Sequence, residues 1–87
     1  MEDKLLKIIN YYGVDNQQRK LEEEVFELQQ AISLERYGED DKDHIIEEIG
    51  DVFNLLDQFV YYYELDVSKI VYSRMEKIDR TLGDIEE

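Results

Sequence analysis

Two carboxylates lie inside the apolar stripes of the two longest helical periods, so a fold that buries the stripes must also bury the charges. At about 100° per residue, Leu21, Val25, Leu28 and Ile32 form one stripe with Ala31 at its edge. Glu24 falls between the directions of Leu28 and Ala31, and Glu27 lies just beyond Ala31. On the next period Ile45, Ile49, Val52, Phe53, Leu55, Leu56, Phe59, Val60 and Tyr63 cover about half the circumference. Glu48 falls between Leu55 and Phe59, and Asp51 follows at i+3 on the same side. Two carboxylates about 4 Å apart repel by roughly 4 kcal/mol at an effective dielectric of 20. Four of them converging would strain a domain of ordinary stability unless protonation, ion pairing or a bound cation relieves them. Glu and Asp oxygens are hard ligands suited to Mg²⁺, Mn²⁺ or Ca²⁺, and Mg²⁺ commonly bridges to phosphates. The pattern therefore points to a metal and to phosphate chemistry.

Turn residues divide the chain into four helical segments. Gly13 ends one running from about Asp3 to Tyr12, and Asp15 or Asn16 caps a second that continues to about Tyr37, with Gly38 as its stop. Asp40 or Asp41 caps a third that ends near Glu64, and Asp66 or Ser68 caps a fourth that fades at Gly83. The fourth carries the stripe Val67, Ile70, Val71, Met75, Ile78 and Leu82. There is no proline to interrupt these periods, and no stretch alternates as a strand over a useful length. The expected fold is all-α, a single domain over residues 1–87 forming a small antiparallel bundle of about four helices. A domain of this size buries a modest fraction of its surface, so completion by oligomerisation is expected. Phe59, Tyr61, Tyr62 and Tyr63 offer aromatic area for the chain's own core, a subunit interface or a base-stacking wall.

Ten basic against twenty-three acidic residues give a net charge of −13, which repels nucleic-acid backbones and concentrates cations. Glu22, Glu35, Glu39, Asp43, Glu47, Glu86 and Glu87 read as ordinary solvated acids. With no cysteine there is no disulfide framework or thiolate zinc site, and no apolar run approaches a bilayer span. A cytoplasmic protein without membrane or nucleic-acid partners is expected. A di-iron bundle would want Glu-x-x-His on two helices; the only histidine, His44, is preceded at that distance by Asp41, and it reads as incidental. Lys20 shares the side of Glu24 and Glu27, where it can pair with them or reach a phosphate. Arg74 reads as a long stem covering apolar surface.

Glu23-Glu24-x-x-Glu27 followed by Glu48-x-x-Asp51 resembles the paired signature of the MazG-like all-α nucleoside triphosphate pyrophosphohydrolases. The frame is similar too: Tyr12-Gly13, Gln17 and Lys20-Leu21 before the first motif, Ile46-Glu47 and Val52 around the second, and Lys77-Ile78-Asp79-Arg80 in the position of the basic element of small phage and prophage members. The likeness runs from about Tyr12 to Leu82. It implies Mg²⁺-dependent (or Mn²⁺-dependent) hydrolysis of a ribo- or deoxyribonucleoside triphosphate to monophosphate and pyrophosphate, with water attacking the α-phosphorus. By that resemblance Glu24, Glu27, Glu48 and Asp51 are the metal ligands, and Glu23 sits near a second metal or orients the water. Lys77, Arg80 and Lys20 would neutralise phosphate charge, and Asn54 would offer an amide to sugar or base. Small members work as homodimers or homotetramers. The rival reading is a non-catalytic acidic helical oligomer or interaction module with a metal-stabilised carboxylate cluster.

Overall fold

A computed structural model describes residues 1–39 and 41–86; Asp40, one of the two expected caps, and Glu87 lie outside the described residues. The elements are α1 (Glu2–Tyr12), α2 (Val14–Arg36), α3 (Lys42–Tyr62) and α4 (Val67–Glu86). The described residues contain no strand, and the fold is all-α as the periodicity predicts. Gly13, at φ 92°, is both the end of α1 and the start of α2. Its N–H donates to the Ile9 carbonyl at 2.8 Å, and its own carbonyl accepts from the Gln17 N–H at 3.1 Å. Helix α2 thus begins at Val14, ahead of the expected caps Asp15 and Asn16, and the Asn16 amide instead donates to the Tyr12 carbonyl at 2.6 Å. At the far end Gly38, at φ 73°, closes α2. The Gly38 N–H donates to the Glu35 carbonyl at 2.9 Å and the Glu39 N–H to the Leu34 carbonyl at 2.8 Å, which satisfies two end carbonyls.

Asp41 caps α3 by accepting the His44 N–H at 3.1 Å. The end of α3 repeats the α2 closure without a glycine. The Leu65 N–H donates to the Val60 carbonyl at 2.9 Å and the Glu64 N–H to the Tyr61 carbonyl at 3.2 Å, which holds Glu64 at φ 53°. Asp66 then opens α4, accepting from the Ser68 N–H at 2.9 Å and its hydroxyl at 2.6 Å; these bonds hold the Asp66 carboxyl below its usual pKa. Gly83 does not end α4, which continues to Glu86.

Helices α2 and α3 form an antiparallel pair, and α1 packs chiefly on α3, burying Leu5 and the fully enclosed Ile9. Val52 and Leu55 of α3 complete the apolar centre with Ala31. The buried line of α2 is Gln17, Glu24 and Ala31, spaced by two turns, with Leu21 and Leu28 half-buried beside it. Val25 and Ile32, expected in the core, are exposed. The apolar average of the wheel is displaced from the true contact line because that line is partly polar on both helices: α3 meets it with Glu48 and Gln58. Phe53 and Leu56, on the outer part of the α3 arc, are exposed for the same reason.

The larger difference from expectation is α4. None of its residues is buried; its apolar stripe, expected as core, runs from 36% exposed at Ile70 to 59% at Met75. Ile70 and Arg74 of α4 line a groove together with Phe53, Leu56 and Val60 of α3. The left-handed turn at Glu64 sends the chain away from the first three helices. The Cα radius of gyration is 15.9 Å, against about 12 Å for a compact chain of this length.

Two stability measurements follow from these features. Glu64→Gly removes the side-chain clash of a left-handed residue and is expected to stabilise by about 1 kcal/mol, raising the melting temperature by about 4–8 °C. Ile9→Ala, which opens a cavity under α1, is expected to destabilise by about 2–4 kcal/mol in chemical denaturation.

Candidate metal centre

The side chains of Gln17 and Gln58, both buried, fix the register of α2 against α3: the Gln17 Nε2 donates to the Gln58 Oε1 at 2.9 Å. Because the helices run antiparallel, each step forward on α2 is a step back on α3. Seven steps from the glutamine pair bring Glu24 level with Asp51, and ten bring Glu27 level with Glu48. Carboxylate oxygens of Glu24, Glu27 and Glu48 all lie within 4.8 Å of one another. Glu24 is 6% exposed and Glu48 9%, as their places within the apolar stripes predict, while Glu27 is exposed at the rim.

Both buried carboxylates are held on one oxygen from one helical turn earlier. The Lys20 Nζ lies 3.0 Å from the Glu24 Oε1, and the His44 Nε2 lies 3.2 Å from the Glu48 Oε1. The second oxygen of each, Glu24 Oε2 and Glu48 Oε2, is buried without a hydrogen-bond partner. Such a group is costly to leave unsatisfied. The charges divide unequally. The Lys20 hydrogen bond holds the Glu24 carboxyl below its usual pKa despite burial, and Glu24 raises the Lys20 ammonium in return. Glu27 is pushed up by its hydrogen bond with Glu24 and then by the Glu24 charge. The three carboxylates thus carry more negative charge than Lys20 offsets.

The other expected site residues surround this centre at different distances. Asp51 is not among the three converging carboxylates, but it lines a groove beside Glu24 together with Lys20 and Asn54, floored by Gln17 and Gln58 and walled by α1. Glu23 is not among the three converging carboxylates; it lies 4.0 Å from Lys20 and lines a neighbouring groove with Lys20, Tyr12, Asn16 and Arg19. Lys77 and Arg80 ride on α4 and line neither groove. His44, read from sequence as incidental, is instead bonded to a central carboxylate. Its spacing of four from Glu48, the reach of a side-chain pair along one helix face, is the signal the sequence carries for this contact. The Gln17–Gln58 pair carried no local signal, since a contact across forty-one positions is invisible to helical periodicity.

Three converging carboxylates, two of them offering buried lone pairs with no protein donor, match the hard oxygen set that binds Mg²⁺ or Mn²⁺; a cation there would satisfy both orphaned oxygens. A family model, described as the MazG nucleotide pyrophosphohydrolase domain, matches residues 14–84. That span includes α2, α3 and most of α4 and leaves out α1. Neither the curated proteins nor the solved structures contain a match. No described helix is long and apolar enough to cross a membrane.

The unequal charges make the centre's behaviour measurable. Mn²⁺ should stabilise the fold by mass action, by about 2.7 kcal/mol at a hundredfold excess over its dissociation constant, and so raise the melting temperature, and Glu27→Gln should blunt that response. Without metal the same variant should melt higher than the wild type at pH 7. A carboxyl raised in the fold contributes stability below its unfolded value of 4.5 and loses it as pH rises through the folded value. The advantage of the variant should therefore shrink below pH 4.5, the reverse of the dependence contributed by Glu24, whose stabilisation is lost as pH falls through its lowered value.

Proposed function

The chain belongs to the MazG nucleotide pyrophosphohydrolase family, and on that premise we propose that it hydrolyses a ribo- or deoxyribonucleoside triphosphate to the monophosphate and pyrophosphate. The observation that carries this reading is the convergence of Glu24, Glu27 and Glu48, two of which each keep one buried oxygen without a hydrogen-bond partner. Glu24, Glu27 and Glu48 would hold Mg²⁺ or Mn²⁺, with Asp51 joining from the groove wall. A bound divalent ion supplies polarisation of phosphoryl oxygens and a more acidic water.

The chain's own groups then have distinct tasks. Rigid carboxylates on two packed helices fix where the triphosphate lies, and positioning is most of what phosphoryl chemistry asks of a protein. Glu23, exposed beside Lys20, would accept a hydrogen bond from the attacking water and take its proton. The water oxygen forms a bond to the α-phosphorus as the bond from that phosphorus to the bridging oxygen breaks, and pyrophosphate leaves with the electron pair. Lys20 would neutralise phosphate charge, and Asn54 in the groove would meet the sugar or base.

Lys77 and Arg80 would take the departing phosphates, but on α4 they stand apart from the carboxylates of their own chain. The exposed apolar stripe of α4 supports a homodimer or homotetramer in which this helix docks on another copy and delivers both cations to the neighbouring site.

Pyrophosphate release from a panel of nucleoside triphosphates with Mg²⁺ or Mn²⁺ tests the reading. Turnover is expected, with losses of about a hundredfold or more in Glu24→Gln and Glu48→Gln, the scale of removing a group that stabilises the transition state. Mixing and re-annealing Glu48→Gln with a Lys77→Ala/Arg80→Ala chain should restore part of the activity that each lacks alone. A folded, Mn²⁺-binding protein that turns over no nucleotide would leave the metal-stabilised acidic oligomer as the correct reading.

A further inference from the structure

We infer that His44 is a positioning residue: it holds one oxygen of Glu48 so that the other faces the cation. This rests on the reading of the three carboxylates as a metal centre. A carboxylate turns freely about its last torsion, which has broad, two-fold preferences, so burial alone does not determine which oxygen faces Glu24 and Glu27. The His44 Nε2, 3.2 Å from the Glu48 Oε1, fixes that choice and leaves the buried Oε2 without a partner, on a carboxylate that belongs to the converging three.

The same arrangement occurs independently on α2. There the Lys20 Nζ, also one turn before its carboxylate, holds the Glu24 Oε1 at 3.0 Å and leaves the Glu24 Oε2 buried and unpartnered. Two helices thus present one oxygen each by the same i to i+4 geometry, from two different donors. His44 is not itself among the groups whose ligand atoms converge, which separates its role from direct coordination.

The experiment uses the full chain and Mn²⁺ as the probe, with free Mn²⁺ measured by electron paramagnetic resonance and bound Mn²⁺ examined by its pulsed form. His44→Ala is expected to weaken binding by about tenfold or more, the scale of losing an outer-shell partner. His44→Gln, which restores an N–H donor at similar reach, should recover most of it, and wild-type spectra should show no directly bonded nitrogen. Wild-type affinity in His44→Ala, equal losses in the Ala and Gln variants, or a directly bonded ¹⁴N coupling would each overturn the inference while leaving the metal centre intact. Absence of Mn²⁺ binding by the folded wild type would overturn the metal reading itself, and with it the role of His44.

Discussion

The α2–α3 pair depends on a balance between burial and repulsion of charge. Its contact line is not simply apolar: Gln17, Glu24 and Ala31 on one side meet Glu48, Val52, Leu55 and Gln58 on the other. Each polar group in that line must be satisfied or it opposes folding. The glutamines satisfy each other, and the glutamates are half satisfied by Lys20 and His44. What remains is concentrated into two oxygen atoms and one raised carboxyl, Glu27. A local deficit of this kind can be sustained because the Ile9 and Leu5 contacts of α1 stabilise the same α3 elsewhere. The deficit is also what would favour a cation at the proposed metal centre, since an already neutralised set of carboxylates would gain less from binding one.

Most of the fold and the centre of the site were legible in the sequence, for reasons that particular residues make clear. Gly38, Asp41 and Asp66 act as the stops and caps their chemistry suggests, because capping is a local interaction. Glu24 and Glu48 were recognisable because a charge within an apolar stripe is anomalous whatever lies opposite. The stripes themselves were less well read: Val25, Ile32, Phe53 and the whole apolar face of α4 are exposed. A helical wheel reports which side of a helix is apolar, whereas burial depends on which side another helix reaches. His44 and Gln17 show the complementary failure, since their importance lies in a partner, and a partner is a tertiary fact.

The division of labour between the helices follows from rigidity. Carboxylates that must meet within a few ångströms come from two long helices locked by a buried amide pair, so their relative position is set by the register of that pair. The cationic residues at Lys77 and Arg80 belong instead to a helix with no buried residue. Phosphate charge is diffuse and long-ranged compared with metal coordination, so in the proposed reaction its neutralisation would tolerate a less constrained element, including one supplied by another copy of the chain.

This separation also bears on why α4 keeps an apolar stripe it does not bury. Six large apolar side chains from Val67 to Leu82 on a chain of net charge −13 would be a liability on a monomer, where contiguous apolar surface promotes association. Coupled to the cations on the same helix, the stripe would give association a use. Like-charged copies repel over most of their surface, but in the proposed assembly a partner's carboxylates would attract Lys77 and Arg80 while its exposed apolar groups on α2 and α3 would receive the stripe. In that arrangement the charge that strains each centre also selects the face against which α4 packs, so assembly and completion of the site would be driven by the same carboxylates.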